Sequence, residues 1–198
     1  MRENSFWTVM PEELVLRFVC LCTSRIFLLL MGANGIIPGE NMEKLYIICV
    51  DDQREVLHNI NRDLRVFGSW TVVEECESAM EAGELLEELS ANGVPVAVVI
   101  CDHIMPETSG VEFLSRLTKK NYPPHLKKIL LTGQASHHDT IEAINSAHID
   151  YYIEKPWKSE TLQNVCRRLL TEYLFDTGRY TNEFRTVVDS QVVLERMR

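Results

Sequence analysis

The sequence predicts an α/β fold in which a parallel sheet of five strands lies between two layers of helices. Two observations predict it. Short apolar runs alternate with helical patterns between residues 45 and 175, and each connection between successive runs is long enough for a crossover helix. Because such crossovers are right-handed, the expected architecture is a doubly wound domain, whose ligands bind at the carboxyl ends of the strands.

The strands are predicted from five short runs, at residues 45–50, 70–75, 96–101, 128–131 and 149–153. Four of the five runs are densely apolar, as expected for strands that are covered on both faces. The run at 70–75 is more polar, which favours an edge of the sheet.

The helices are predicted from apolar residues at helical spacing, over residues 53–66, 78–91, 111–119, 136–147 and 159–175. Beyond them, residues 180–197 carry apolar side chains at 184, 187, 188, 194 and 197, which predicts one more amphipathic helix. The pattern leaves two roles open for this C-terminal helical extension, 176–198: docking on the domain, or pairing with a second chain as a homodimer.

Composition and charge exclude several classes of function. The net charge of −9 and the lack of any Lys/Arg-rich run argue against binding of nucleic acid. The six cysteines are scattered and imply no disulfide framework, which favours a reducing cytoplasm as the location.

Residues 1–41 form a separate N-terminal extension. Arg17 and Arg25 interrupt its apolar stretch, and the longest charge-free run, 26–39, is shorter than the roughly 20 apolar residues of a membrane span. Contact with a membrane is therefore disfavoured. Because Met42 lies three residues before the first predicted strand, residues 1–41 are also open to interpretation as upstream sequence outside the native protein. Detection of a species that begins at Met1 in cells would exclude this.

Acidic side chains follow two of the predicted strands. Asp51 and Asp52 come after the first strand, and Asp102 comes after the third, which is its neighbour in a doubly wound sheet. Carboxylates that crowd together repel each other unless a cation lies among them. A hard divalent ion prefers oxygen ligands, so Mg²⁺ is the expected cofactor.

A carboxylate beside Mg²⁺ can act as a nucleophile toward phosphorus, and Asp102 is the best candidate. Pro106 and Gly110 are expected to shape the loop after it, the proline by fixing φ and the glycine by allowing a tight turn. Lys155, after the fifth strand, would place an ammonium group against the phosphoryl group or against Asp102. Thr132, after the fourth strand, offers a hydroxyl at the same edge.

These residues, in this order along the chain, resemble the receiver domain of bacterial two-component response regulators over residues 43–175. The resemblance implies a flavodoxin-like sheet of strand order 2-1-3-4-5 with five flanking helices. It further implies that Asp102 is the phosphoacceptor, that Lys155 binds the phosphoryl group, and that Thr132 and the aromatic Tyr152 form the switch. The implied Mg²⁺ ligands are Asp51, Asp52, Asp102 and the backbone carbonyl of Ile104.

The same resemblance implies a function in phosphorelay signalling. A sensor histidine kinase or a phosphotransfer protein would donate the phosphoryl group, and phosphorylation would change a surface that binds an unidentified downstream protein. Such a protein accepts and hydrolyses its own phosphoryl group, and no dedicated catalytic output domain is evident, so it is not expected to be an enzyme. Ile104, two residues after Asp102, offers no hydrogen-bonding group to a water and is expected to slow self-hydrolysis.

Two alternatives remain open at this stage. A Mg²⁺-dependent phosphatase that uses an aspartyl phosphate normally needs a second aspartate two residues after the nucleophile, where this sequence has Ile104. A receiver-like interaction module that works without phosphorylation would leave the set of acids, hydroxyl and lysine unexplained. His103 is the other residue of interest, because it neighbours the reactive acid.

Overall fold

The computed structural model describes residues 44–120, 125–133 and 147–198. Its centre is a sheet of five parallel strands in the order β2-β1-β3-β4-β5. The strands are β1 (Leu45–Val50), β2 (Thr71–Cys76), β3 (Val96–Asp102), β4 (Lys127–Thr132) and β5 (Tyr151–Glu154). The predicted doubly wound α/β fold and its strand order are confirmed.

The helices in the described ranges are α1 (Arg54–Leu64), α2 (Ala79–Ala91), α3 (Gly110–Lys120), α4 (Ser159–Asp176) and α5 (Ser190–Arg196). Two 3₁₀ helices, Arg65–Trp70 and Asn182–Thr186, precede β2 and α5 respectively. Ser78 caps α2 by accepting a hydrogen bond from the Glu81 N–H, which explains why the helix begins one residue after the predicted start. The helix predicted over 136–147 lies outside the described residues except for Ala147.

Two clusters of buried side chains form the core, one on each face of the sheet, because successive residues of a strand point to opposite faces. In β1, for example, Ile47 belongs to the cluster shared with α1 and α4, whereas Ile48 belongs to the cluster shared with α2 and α3. The central strand β3 is buried along its whole length. This double cover explains the continuous apolar run that predicted it.

The strand predictions were accurate at the centre of the sheet and less so at its edges. The strand at 70–75 was correctly placed at an edge. The run at 149–153 was expected to be covered on both faces, but β5 is the opposite edge strand and Tyr151 is 42% exposed. Its strand pairing with β4 also begins later, at Tyr151.

The predicted continuous helix over 180–197 is wrong. Asp189 interrupts it by capping α5, where its carboxylate accepts hydrogen bonds from the N–H groups of Gln191 and Val192. Phe184 and Val188 are nonetheless buried in the same cluster as the side chains of α1 and α4. The chain's own domain thus covers Phe184 and Val188, whereas Leu194 and Met197 of the same segment are exposed.

The expectations for residues 1–41 fall outside the described ranges. In the ranges that are described, none of the helices combines the length and the apolar character that a membrane span requires.

Candidate functional site

Three carboxylates meet at the carboxyl edge of the sheet. Asp51 follows β1 directly and Asp102 is the last residue of β3, so parallel pairing of these neighbouring strands brings them together. Each residue of the group Asp51, Asp52 and Asp102 offers a carboxylate oxygen within 4.8 Å of the others. Asp51 and Asp102 are buried, at 0% and 5% exposure, whereas Asp52 is exposed.

The ammonium group of Lys155 lies between the two buried acids. Its Nζ atom is 2.7 Å from Asp51 Oδ2 and 2.5 Å from Asp102 Oδ1. Lys155 directly follows β5, and its N–H donates to the Thr132 carbonyl at 2.8 Å, which extends the pairing of β5 with β4. The contact with Asp102 agrees with the sequence-based expectation, and the second contact, with Asp51, adds to it.

Burial and charge act in opposite directions on these groups. Burial raises the pKa of Asp51, and the charge of Asp102 adds to this rise, although the hydrogen bonds from Lys155 and the Gln53 N–H oppose it. Burial alone would lower the pKa of Lys155, but its hydrogen bonds to Asp102 and Asp51 outweigh that effect and raise it. Lys155 is therefore a firmly held positive charge at the centre of an acidic site.

Backbone N–H groups hold the remaining oxygens of both buried carboxylates. The N–H of Ile104 donates to Asp102 Oδ2 at 3.0 Å, and the N–H of Gln53 donates to Asp51 Oδ1 at 3.0 Å. Each buried acid thus has one oxygen on Lys155 and the other on the loop that follows its own strand. Such bonds favour the ionised form and fix the direction of the carboxylate.

Gly110 allows the loop after Asp102 to close tightly. Its N–H donates to the His103 carbonyl at 3.0 Å, and a Cβ atom at this position would collide with the Asp102 carbonyl oxygen. Gly110 was predicted to shape this loop by allowing a tight turn, and its role in the structure has a different cause. It is the first residue of α3 and is required by a close approach to β3 rather than by a special turn.

Thr132 is the last residue of β4, and Tyr152 lies on the neighbouring strand β5. Thr132 is 1% exposed, and its Oγ1 atom is 3.3 Å from His103 Nδ1. Tyr152 is half-buried and packs against the cluster shared with α2 and α3. Burial raises the pKa of Tyr152, the charge of Glu154 adds to this, and a contact with Thr132 opposes it. The Tyr152 hydroxyl nevertheless makes no hydrogen bond of standard geometry within the described residues.

The donor set suits a hard divalent cation, because Asp51, Asp52 and Asp102 offer only oxygen atoms within a small space. Asp52 is the most accessible of the three, as it is exposed and makes no ion pair within the described ranges. Ile104 has an exposed side chain, 61% accessible, and its N–H is bound to Asp102.

Sequence reasoning missed two contacts at this edge of the sheet. One is the contact of His103 with Thr132. The other is an ion pair at the rim, in which Arg54 Nη2 lies 2.7 Å from Glu77 Oε1 and links the start of α1 to the loop after β2. The strand order places Arg54 and Glu77 at the ends of neighbouring strands, but spacing along the chain carries no signal for a single side-chain rotamer.

Comparison with known proteins decides the family. Residues 47–167, which include the three acids of the site, Thr132 and Lys155, match the family described as the response regulator receiver domain. The chain belongs to this family. The predicted resemblance to receiver domains is confirmed, and the chain is a receiver domain of the response regulators of two-component signalling.

The receiver domain is similar to parts of larger regulators and to small receiver proteins. It is 33% identical over 123 residues to the hydrogenase transcriptional regulatory protein HoxA of Cupriavidus necator, a match that covers 62% of this chain and 23% of that protein. It is 25% identical over 127 residues to the chemotaxis protein CheY-3 of Vibrio cholerae, covering 64% of this chain and 90% of that protein. The chain thus spans about a quarter of the hydrogenase regulator.

Solved receiver structures share its fold. The CheY-like response regulator receiver domain protein from Methanospirillum hungatei is 27% identical, with a TM-score of 0.57, and the match covers 66% of this chain and 96% of that one. The signal receiver domain of an HD domain-containing protein from Pseudomonas fluorescens is 26% identical, with a TM-score of 0.57 and coverage of 66% and 97% respectively.

Proposed function

We propose that this receiver domain accepts a phosphoryl group on Asp102 from a phosphohistidine of a sensor histidine kinase or phosphotransfer protein, in the cytoplasm, and thereby switches a surface that binds a downstream protein. The observation that carries the proposal is the pair of contacts of Lys155, 2.7 Å to Asp51 and 2.5 Å to Asp102. These contacts fix the Lys155 ammonium group beside the buried carboxylate of Asp102, at the edge of the sheet where ligands are expected to bind.

The transfer itself needs little more than positioning and charge neutralisation. An oxygen of Asp102 forms a bond to phosphorus while the bond from phosphorus to the donor imidazole nitrogen breaks. The electron pair of that bond stays with the imidazole, which takes up a proton. The Ile104 N–H keeps the Asp102 carboxylate oriented, and the Lys155 ammonium group offsets the negative charge that arrives with the phosphoryl group.

Asp51, Asp52, Asp102 and the backbone carbonyl of Ile104 are the proposed Mg²⁺ ligands. When bound, Mg²⁺ would neutralise the oxygens of the incoming phosphoryl group. The crowding of the acids supports this part of the proposal, because the pKa of Asp51 is raised in part by Asp102, and a cation would relieve that repulsion.

Phosphorylation would act on Thr132 and Tyr152 as a population shift between two arrangements. The phosphoryl group carries a charge of about −2 and strong acceptor oxygens, which would attract the hydroxyl of Thr132. Tyr152 lies on β5 and contacts Thr132, so it would move with the threonine. The change would then reach the surface of that edge strand.

Acetyl phosphate with Mg²⁺ provides a test that needs no partner. Intact mass spectrometry of the wild type is expected to show the addition of one phosphoryl group, and Asp102→Asn is expected to abolish it. Glu107→Gln is the matched control, because it removes an exposed carboxylate from the same loop and should leave labelling unchanged. Labelling that persists in Asp102→Asn, or a wild type that stays unmodified by acetyl phosphate and by phosphorylated histidine kinases, would overturn the proposal.

The geometry does not favour the alternatives. A phosphatase of the aspartyl-phosphate class would need an acid two residues after Asp102, where the exposed Ile104 stands. An interaction module without phosphorylation has no use for two buried, mutually repelling acids on one lysine. In the experiment above, an unmodified wild type would be the result that favours such a module.

A further inference from the structure

A third buried acid lies outside the acidic site. In the described ranges the buried acidic side chains are Asp51, Asp102 and Asp63, which are 0%, 5% and 6% exposed. The first two belong to the site, whereas Asp63 lies in the last turn of α1. Removal of a carboxylate from water is costly unless hydrogen bonds or an opposite charge compensate it. The partners of Asp63 therefore indicate what its burial achieves.

Asp63 joins α1 to the connection between β5 and α4. Its Oδ2 atom accepts a hydrogen bond from the indole N–H of Trp157 at 3.0 Å, and its backbone carbonyl accepts one from the side-chain amide of Gln163 at 2.9 Å. Its other carboxylate oxygen, Oδ1, lies 3.5 Å from Nε of Arg62, whose side chain is 65% exposed. The short contact of the carboxylate is thus the one with Trp157, which is half-buried and packs against the core cluster shared with α1 and α4.

Trp157 stands two residues after Lys155 in a short connection. Residues 155–158 link β5 to α4. The backbone of Lys155 is held on β4, because its N–H donates to the Thr132 carbonyl at 2.8 Å. Pro156, between the lysine and the tryptophan, has a fixed φ angle and limits the freedom of the chain between them. The connection is therefore anchored twice, on the sheet at Lys155 and on α1 at Trp157.

Both anchors matter because the ammonium group of Lys155 meets two acids at once. Its Nζ atom is 2.7 Å from Asp51 Oδ2 and 2.5 Å from Asp102 Oδ1. A lysine carries its ammonium group on a flexible stem of four carbons, so the place of the charge depends on where the backbone holds the start of that stem. A displacement of about 1 Å takes such contacts beyond hydrogen-bonding distance and weakens a positioned reaction.

We propose that Asp63 is a positioning residue that acts through Trp157 to hold the Lys155 ammonium group at the phosphoryl position. The inference rests on the proposed function, because it gives Asp63 a part in that same site. Loss of the contact between Asp63 and Trp157 frees one anchor of the connection. Lys155 is then held at the acids for less of the time, and a phosphoryl group on Asp102 is bound more weakly.

Beryllofluoride with Mg²⁺, a stable mimic of the phosphoryl group, measures this effect without a partner protein. Titration at saturating Mg²⁺, followed by amide NMR spectra, gives its dissociation constant. Asp63→Ala removes the acceptor and Trp157→Phe removes the donor, and each is expected to weaken binding by about two- to tenfold, the effect of one hydrogen bond. Asp63→Asn keeps an oxygen that can accept from the indole, so its affinity should stay near that of the wild type.

A double substitution tests whether the contact acts as a unit. Asp63→Ala combined with Trp157→Phe should bind beryllofluoride no more weakly than the weaker of the two single variants, and additive losses would overturn the inference. Gln163→Met is the matched control, because it removes the other hydrogen bond of α4 to Asp63 and leaves Trp157 in place. An equal loss of affinity in Gln163→Met would also overturn the inference, since looser packing of α1 on α4 would then explain the effect.

The affinity for Mg²⁺ alone separates positioning of Lys155 from general damage to the site. The acids offer oxygen ligands, whereas an ammonium group offers none, so Mg²⁺ should bind Asp63→Ala and Trp157→Phe no more weakly than the wild type. A parallel loss of affinity for Mg²⁺ and beryllofluoride would contradict the inference, because the acids themselves would then be displaced.

The proton–nitrogen NMR signal of the Lys155 ammonium group reports its position directly. Two hydrogen bonds to acids slow the exchange of its protons with water, so the signal should be visible in the wild type and broadened in Asp63→Ala and Trp157→Phe. An unchanged signal in a variant that binds beryllofluoride more weakly would show that the effect does not pass through Lys155.

The outcomes also separate the inference from the proposed function. A wild type that does not respond to beryllofluoride with Mg²⁺ would remove the proposed function and the inference together. A wild type that responds, with Asp63→Ala and Trp157→Phe binding equally well, would remove the inference alone. Far-ultraviolet circular dichroism checks the folding of each variant. If Asp63→Ala does not fold, Trp157→Phe and its comparison with Gln163→Met decide the question.

Discussion

Gly110 shows how a residue without a side chain positions the acidic loop. A Cβ atom there would meet the Asp102 carbonyl oxygen and would also approach Cys101 Sγ to 3.0 Å. Gly110→Ala is therefore expected to lower the free energy of unfolding by about 1–3 kcal/mol, the usual cost of overpacking. Urea unfolding followed by circular dichroism measures it.

Gly83 provides the matched control for this substitution. It lies inside α2, and a Cβ atom there would meet nothing within 4 Å. Gly83→Ala should stabilise the protein by about 0.5–1 kcal/mol, because alanine is a better helix former. Equal effects of the two substitutions would contradict the close approach of α3 to β3.

Ile104 bears on the lifetime of the proposed acyl phosphate. Its side chain is 61% exposed beside Asp102 and has no hydrogen-bonding group to orient a water. Ile104→Asn is expected to speed loss of the phosphoryl group by about two- to tenfold, the effect of one hydrogen bond in the transition state. The decay of the labelled protein after removal of acetyl phosphate measures it. Ile104→Leu, which stays apolar, should decay like the wild type, and an unchanged rate in Ile104→Asn would refute the idea.

At the scale of elements, the segment after α4 belongs to the core. Phe184 is 4% exposed, its ring centroid lies 5.8 Å from that of Trp70, and the carbonyl of the nearby Val187 accepts a hydrogen bond from Arg167 on α4. Phe184→Ala is expected to cost about 3–5 kcal/mol of unfolding free energy, as for other buried aromatic side chains. Chemical denaturation gives this value directly.

Leu194 is the control for that experiment. It lies on α5 in the same segment but is 66% exposed, so Leu194→Ala should change stability by less than about 0.5 kcal/mol. A similarly small effect of Phe184→Ala would show that the segment does not pack on the domain in solution.

The elements differ in how well the sequence predicts them, for physical reasons. β1 and β3 are covered on both faces, and this burial requires the apolar runs from which the two strands were predicted. The break at Asp189 was missed because its capping bonds satisfy the start of α5, whereas the apolar spacing on either side continues as if one helix were present. Local hydrogen bonding thus overrides a periodic pattern.

At the scale of the whole molecule, the site depends on strand order rather than on neighbourhood in the sequence. Lys155 and Asp51 are 104 residues apart along the chain, and they meet because β5 and β1 end at the same edge. The residues at strand ends could therefore be predicted from the pattern of alternating elements. The contact of His103 with Thr132 could not, because it depends on a side-chain rotamer that the pattern does not specify.

The global stability of the protein should respond to Mg²⁺. The acid group carries three carboxylates within 4.8 Å, in a chain of net charge −9. An ion that binds the acid group only in the folded protein stabilises the folded state by about 2.7 kcal/mol when the ion concentration is 100 times the dissociation constant. The thermal unfolding midpoint should therefore rise with Mg²⁺ concentration.

Asp52→Asn should remove most of this rise, whereas Glu55→Gln, which neutralises an exposed acid on α1, should retain it. NaCl at equal ionic strength separates screening from binding: a rise of the same size with NaCl, or one that survives in Asp52→Asn, would show that Mg²⁺ acts on the net charge of the chain and not at this site.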